Sequence, residues 1–270
     1  MILVFRLAMM GPAIATFSQG TGPLVATAIH AGSYMRRSLM KYCRLDRSER
    51  LREEDPFTER IAQVSGNRII GERSRFEVDL NRPKDKAVYL KPEDAWGLDV
   101  WKDLPADELK ASLDLYDQFY RECGRMFDRI VARHGHLIVL DIHSYNHQRK
   151  APGVVDDPAK NPEVNLGTGN VDRERWKGTI ERIVQGLKAP LADGRELDVR
   201  ENVKFKGGHF TRWIYERYGE RACALAIEYK KIFMDEWTGV PDMPMVGRLS
   251  QHLENATAPV LKEHHGPSAA

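Results

Sequence analysis

The chain has 270 residues, 42% of them hydrophobic, which is enough to bury a full core as one domain. Its 41 basic and 39 acidic residues are mixed along the sequence and leave a net charge of +2, so we expect no partnership with nucleic acid. No stretch reaches the roughly 18 apolar residues of a membrane span, so no membrane partner is expected either. The three cysteines lack CxxC spacing, which argues against a disulfide framework and a cysteine zinc site and favours a reducing, cytoplasmic location.

Apolar runs and helical periodicity alternate along the chain. In chain order we predict strands at 23–29 and 76–80, a helix from near Pro105 to Gly135, a strand at 136–142, a helix at 173–187 and a strand at 222–227. This order predicts an α/β fold, a single domain over residues 1–270 with a mixed, twisted sheet flanked by helices. Residues 1–20 and 255–270 are expected to be peripheral tails.

Chemically active side chains stand where the predicted strands end. Asp141 and His143 share one face at the end of their strand, because side chains alternate along a strand. His30 follows the strand at 23–29, and Glu228 follows the strand at 222–227. Open α/β sheets keep their ligand sites at the carboxyl ends of strands, so these side chains indicate one site.

Two histidines and one carboxylate suit a hydrolytic zinc ion. They leave an open position for water, whose pKa the metal lowers to about 7. The carboxylate would come from Asp55 or a neighbouring acid in Glu53-Glu54-Asp55, and Glu228 could take the water's proton. Hydrolysis of an amide needs both, because the water must be activated as a nucleophile and the amine leaving group must be protonated.

Each of these residues also has an ordinary structural interpretation. Asp55 precedes Pro56 and could cap a helix, and Glu228 could be a solvated residue at a strand end. Asn81-Arg82-Pro83 could be a polar turn, and Gly207-Gly208 lies in a loop that could bring backbone close to a small ligand. Only their joint placement at strand ends favours a site.

Other hydrolytic and phosphate-binding motifs are missing from the sequence. There is no G-x-S-x-G elbow around Ser144 and no G-x-x-x-x-G-K-[ST] loop. A serine hydrolase and a phosphate-binding enzyme are therefore disfavoured.

Taken together, the motifs give the chain a family resemblance from Pro23 to about Trp237. The matching segments are Ile29-His30-Ala31-Gly32, Glu54-Asp55, Val78-Asp79-Leu80-Asn81-Arg82-Pro83, Asp141-Ile142-His143-Ser144, Asn165-Leu166-Gly167-Thr168, Phe205-Lys206-Gly207-Gly208, Ala226-Ile227-Glu228 and Met234-Asp235-Glu236. In this order they resemble the N-formylglutamate amidohydrolase family. That family is related to the zinc carboxypeptidases, so the resemblance implies a phosphorylase/hydrolase-like fold of the zinc-exopeptidase type.

The resemblance also implies roles for the metal-site residues. His30 and His143 would be zinc ligands, with Asp55 rather than Glu54 as the expected third ligand and one zinc ion per chain. Asp141 would accept the free ring N–H of a ligating histidine.

Substrate-handling roles follow in the same way. Asn81 and Arg82 would hold the α-carboxylate of the substrate, and Glu228 would be the general base. Arg75 or Arg212 would stabilise the oxyanion.

The function expected from these roles is zinc-dependent hydrolysis of an N-acyl amino acid. The expected substrate is a small carboxylated compound, N-formyl-L-glutamate, which would give formate and glutamate in the setting of histidine breakdown. A deacylase or carboxypeptidase-like peptidase with the same zinc site is an alternative. An alternative of another class is a metal-free protein that binds a carboxylated ligand through Arg82 and Gly207-Gly208. The acyl group and the oligomeric state stay open.

Overall fold

Seven strands form one mixed sheet in the computed structural model, which describes residues 11–264. The strands are β1 (Ala15–Ser18), β2 (Leu24–Ala28), β3 (Asn67–Gly71), β4 (Leu137–Tyr145), β5 (Val164–Gly167), β6 (Val199–Glu201) and β7 (Ala222–Lys230). Their order in the sheet is β1-β3-β2-β4-β7-β5-β6. Neighbours are parallel except for the β1–β3 and β5–β7 pairs.

Helices cover both faces of the sheet. They are α1 (Arg37–Met40), α2 (Arg47–Glu53), α3 (Thr58–Ile61), α4 (Ala106–His134), α5 (Lys177–Lys188), α6 (His209–Tyr218) and α7 (Met243–His264). Apolar residues of α4 and α6 pack into a core on one face, and those of α3, α5 and α7 into a core on the other. The predicted mixed sheet with flanking helices is therefore confirmed. None of the helices within residues 11–264 has the length and hydropathy needed to cross a membrane.

Helix α4 has the boundaries that its sequence predicts. Pro105 precedes its first residue, where a missing N–H costs nothing. Gly135 ends it with a φ of 76°, the left-handed conformation that glycine adopts without a steric penalty. The strands predicted at 136–142 and 222–227 are also present, and both continue to the edge of the site.

The prediction of a strand at 76–80 is wrong. These residues form turns that follow β3, and the strand of this region is β3 itself. The alternation of apolar and acidic residues does not separate a buried face from a solvent-facing one here. Glu77 and Asp79 are as fully buried as their apolar neighbours. Glu77 pairs with Arg36 and Arg73 instead of facing solvent.

The expectation of peripheral tails is also wrong for the parts that the structure describes. Strand β1 pairs with β3 in the sheet. Helix α7 continues through residues 255–264, and Ala256, Thr257 and Val260 are buried because they face the core. The rest of the two expected tails, residues 1–10 and 265–270, lies outside the described residues.

The sheet order brings three strand ends to one place. β2, β4 and β7 are consecutive and parallel, so their carboxyl ends lie at the same edge. His143 of β4 stands directly opposite Glu228 of β7 in the ladder. His30 follows the end of β2 by two residues.

Candidate metal centre and active site

Two buried histidines converge on one buried carboxylate at this edge. The Nδ1 atom of His143 lies 3.0 Å from Oδ2 of Asp55, and Nδ1 of His30 lies 3.5 Å from the same oxygen. One potential ligand atom from each residue lies within 4.8 Å of the other two. His30, Asp55 and His143 thus form a group that can hold a metal ion.

A second layer of carboxylates lies behind the two histidines. Nε2 of His30 is 2.7 Å from Oδ1 of Asp79, and Nε2 of His143 is 2.9 Å from Oδ2 of Asp141. Asp141 in turn accepts a hydrogen bond of 2.7 Å from the Thr27 hydroxyl. Since a carboxylate only accepts, each ring donates to it from Nε2, which leaves Nδ1 as the ring atom that faces Asp55.

The electrostatics of this group call for a cation between the rings and Asp55. The Nδ1 atom of His30 is buried and makes no hydrogen bond. Burial lowers the pKa of His143, but Asp141 and Asp55 outweigh it and raise that pKa well above its usual range. Burial alone would raise the pKa of Asp55, but the nearby rings of His143 and His30 lower it far below its usual range instead. A proton fills this role in the absence of metal, and a metal ion can replace it.

The chain delivers Asp55 to the site from the end of α2. The Asp55 amide donates to the carbonyl of His30 (3.0 Å), and its carbonyl accepts from the hydroxyl of Thr58 (2.6 Å). Asp55 does not cap the following helix, because α3 begins after Phe57 without a side-chain cap. The structural interpretation of Asp55 as a helix cap is therefore wrong.

The two acids before Asp55 are bound elsewhere. Glu54 accepts hydrogen bonds from Ser74 (2.5 Å) and Arg47 (3.1 Å). Glu53 makes two hydrogen bonds with the guanidinium of Arg149, at 3.2 and 3.0 Å. Of the three acids that the sequence left open, Asp55 is the one that faces both histidines.

A cavity of about 420 Å³ opens in front of the histidines. Every residue that the sequence analysis placed in the site lines this cavity, except Asp141, which lies behind His143. The lining members of that set are His30, Asp55, Arg75, Asn81, Arg82, His143, Gly207, Gly208, Arg212 and Glu228. The fold thus brings together residues that are far apart in the chain.

Glu228 lines this cavity, and the pKa of its carboxyl group is raised. Burial raises its pKa to about 7, while His143 opposes that rise. The carboxyl group makes no hydrogen bond or ion pair with any other described residue. A carboxyl group that titrates near neutral pH and has no competing partner can accept and return a proton.

Asn81 connects the histidine side of the cavity to α6. Its Oδ1 accepts from the amide of Phe210 (2.9 Å), and its Nδ2 lies 3.4 Å from Nε2 of His143. A Cβ at Gly208 would come within 2.2 Å of Asn81 Oδ1, so only glycine allows this approach. The next residue, Arg82, has a side chain 43% exposed, and its nearest carboxylate oxygen is 3.9 Å away on Asp79.

Arg75 is held much more tightly than Arg82. Its guanidinium donates to Tyr89 (3.0 Å), to the carbonyl of Glu53 (3.1 Å) and to Asp79 (2.9 Å). The guanidinium carbon also lies 4.8 Å from the centre of the Trp96 ring. Arg75 therefore presents a fixed positive charge at the wall of the cavity.

Sequence reasoning missed several residues of this site. Asp79 was part of a recognised segment, and its position two residues before Asn81 was the only signal for its role. Nothing local marks Tyr89, which donates to Asp79, or Arg149, which lines the cavity. Lys231 is also missed, and burial lowers the pKa of this cavity residue to about 8.

The sequence of this chain is similar to those of known proteins. A sequence model of the N-formylglutamate amidohydrolase family matches residues 22–234. The chain is 28% identical to an N-formylglutamate deformylase of Pseudomonas putida, over 77% of this chain and 79% of that protein. It is 23% identical to an N-formylglutamate deformylase of Pseudomonas aeruginosa, over 93% of this chain and 94% of that protein.

A solved structure shares the fold. The crystal structure of an N-formylglutamate amidohydrolase from Ralstonia eutropha JMP134 superimposes with a TM-score of 0.73 and 17% identity, over 93% of this chain and 98% of that chain. The family match spans most of the sequence, including His30, Asp55 and His143. The chain therefore belongs to the N-formylglutamate amidohydrolase family, a family of amide hydrolases.

Proposed function

We propose that the protein hydrolyses N-formyl-L-glutamate to formate and L-glutamate with one zinc ion held by His30, Asp55 and His143. The observation that carries this proposal is the convergence of two Nδ1 atoms on Asp55, next to the unpartnered carboxyl group of Glu228. The family match and the curated relatives support the choice of substrate.

The donor set fits zinc. Two histidine nitrogens and one carboxylate oxygen are the ligands of many hydrolytic zinc sites, and they leave a coordination position open. Asp79 and Asp141 hold the histidine rings with Nδ1 pointing inward, which is the support that ligating histidines usually have. The buried Nδ1 of His30 also gains the partner that it lacks among the described residues.

A bound zinc ion would polarise the formyl carbonyl and make water nucleophilic near neutral pH. Glu228 accepts a proton from the attacking water and delivers it to the nitrogen as the carbon–nitrogen bond breaks. The products are formate and L-glutamate with a free amino group, so one water molecule is consumed for each amide bond.

Arg82 and Asn81 bind the α-carboxylate in this proposal. Arg82 lines the cavity without a close carboxylate partner, so its guanidinium can take a substrate carboxylate in two parallel hydrogen bonds. Arg75 is the better oxyanion donor of the two arginines considered, because its three hydrogen bonds fix its charge before the reaction begins. We place the reaction in the cytoplasm, where the free cysteines Cys43, Cys123 and Cys223 would stay reduced.

The test is hydrolysis by the zinc-loaded protein. Formate release from N-formyl-L-glutamate is measured beside release of the acyl group from N-acetyl-L-glutamate and cleavage of a glutamyl peptide. We expect the formyl compound to be the best substrate, about one zinc per chain, and loss of activity with a chelator that zinc restores. A preference for the acetyl compound or the peptide would replace the formyl assignment. A protein that binds no metal and cleaves none of the three would contradict the proposal and favour the metal-free binding alternative.

A further inference from the structure

Five cationic side chains line the cavity, and the protein itself already satisfies three of them. Arg75 makes an ion pair with Asp79, and Arg149 makes a two-bond pair with Glu53. Lys231 is 2% exposed and donates to the carbonyls of two residues at the end of α2, at 2.6 and 2.9 Å. These three charges are already paired within the protein, so a carboxylate from outside gains less from them than from an unpaired guanidinium.

The other two cations lack such partners. Arg82 has its nearest carboxylate oxygen at 3.9 Å, and that oxygen of Asp79 already accepts from Arg75 and Tyr89. Arg212 lines the cavity and makes no ion pair or side-chain hydrogen bond with any residue between 11 and 264. Two guanidinium groups are therefore left for carboxylates that come from outside the protein.

The two segments that carry these arginines are fastened to each other. Tyr116 of α4 donates to the carbonyl of Arg82 and lies 3.0 Å from Nε2 of His209 in the first turn of α6. Asn81 accepts from the amide of Phe210, also in that turn. Arg212, one turn into the same helix, is therefore held at a fixed position relative to Arg82.

We propose that Arg212 binds the side-chain carboxylate of the substrate, so that the enzyme selects N-acyl amino acids with two carboxylates. This inference rests on the proposed function, in which Arg82 takes the α-carboxylate. A dicarboxylate places one negative charge at each unpaired guanidinium, whereas a substrate with a neutral side chain leaves Arg212 without a partner. Arg212 is thus a specificity-determining residue for the acidic side chain.

The chemistry of the pair supports selection by charge. A hydrogen bond to a charged group is stronger than one between two neutral groups, and the planar guanidinium matches a carboxylate in geometry. Arg149, which also lines the cavity, would have to give up Glu53 before it could bind a substrate carboxylate. The cost of separating that pair favours Arg212.

The experiment compares N-formyl-L-glutamate with N-formyl-L-glutamine, which differs only by a neutral side-chain amide. The zinc-loaded wild type should show a kcat/KM for the glutamate compound about ten- to a hundredfold higher. In Arg212→Met this ratio should fall to near one. Arg217→Met is the matched control, because Arg217 lies on the same helix and pairs with Asp128. Its ratio should equal that of the wild type.

Binding of the free amino acids provides a readout that does not depend on turnover. Calorimetry should show that the zinc-loaded wild type binds L-glutamate more tightly than L-glutamine, and that Arg212→Met loses this preference. A ratio and a binding preference unchanged in Arg212→Met, or lost in Arg149→Met instead, overturn the inference. If the wild type hydrolyses no N-formyl compound but the binding preference depends on Arg212, the proposed function fails and this inference stands.

Discussion

Replacing the proposed base Glu228 by glutamine should stabilise the metal-free protein at alkaline pH. Burial raises the pKa of Glu228 from an ordinary value of 4.5 to about 7. Below about pH 4.5 the group is protonated in both the folded and the unfolded chain, so it changes the free energy of unfolding little. Between these two values the unfolded chain loses the proton while the folded protein keeps it, and the folded state is destabilised as the pH rises.

The size of this effect follows from the interval between the two pKa values. Each pH unit in the interval costs about 1.4 kcal/mol, so the full cost above pH 7 is about 3 kcal/mol. Glutamine is neutral at every pH and avoids this cost. Any cost of fitting an amide into the site is the same at both ends of the pH range, and it cancels when the variant and the wild type are compared at two pH values.

The assay is urea unfolding of both proteins in the presence of a chelator, followed by the fluorescence of the five tryptophans. Between pH 5 and pH 8.5 the free energy of unfolding of Glu228→Gln should rise relative to the wild type by about 2 to 3 kcal/mol. Glu220→Gln, at an exposed position on the surface, is the control and should show little change. The reasoning is refuted if the difference between Glu228→Gln and the wild type is equal at both pH values, or if it moves in the opposite direction.

The remaining predictions concern the metal, the base and the α-carboxylate. The zinc content of His143→Ala and of Asp55→Asn, measured by atomic emission, should be well below one per chain. Glu54→Gln should keep its metal because Glu54 faces Ser74. Loss of zinc from Glu54→Gln alone would rule out Asp55 as the ligand. Glu228→Gln should keep zinc but lower kcat by about two to four powers of ten, and near-normal turnover would exclude it as the base. Arg82→Lys should lower kcat/KM by about one to two powers of ten at unchanged metal content, and should have no such effect on a substrate whose α-carboxylate is an amide. An equal loss on both substrates would make Arg82 structural.

The strands that carry the site could be predicted because their sequences are unambiguous. β2, β4 and β7 each begin with a short run of mostly apolar residues, the pattern that a buried parallel strand shows. Once these strands are known, the sheet edge places His30, His143 and Glu228 near one another. The prediction failed at 76–80, where the apolar alternation belongs to a buried turn whose acidic residues Glu77 and Asp79 bind the distant residues Arg36 and His30.

The parts of the site that could not be predicted depend on contacts between distant residues. Lys231 binds the carbonyl of Glu54, 177 residues earlier in the chain, and neither residue lies in a pattern that points to the other. Asp55 offered two local interpretations, and only its contacts with His30 and His143 decide between them. Local sequence shows which side chains can do chemistry. The pairing of each with its partner appears only in the folded molecule.

The direct alignment of His143 and Glu228 in the parallel pair β4–β7 has a mechanical consequence. The separation between the candidate metal ligand and the proposed base is set by main-chain hydrogen bonds, not by flexible loops. Inserting or deleting one residue within either strand would turn one of the two side chains to the opposite face of the sheet and abolish the pairing. Changes in the turn that carries Arg82 or in helix α6, which carries Arg212, leave this separation intact. The sheet therefore fixes the distance between the candidate metal ligand and the proposed base. The segments around the sheet can vary in sequence and so alter which acyl amino acid is bound.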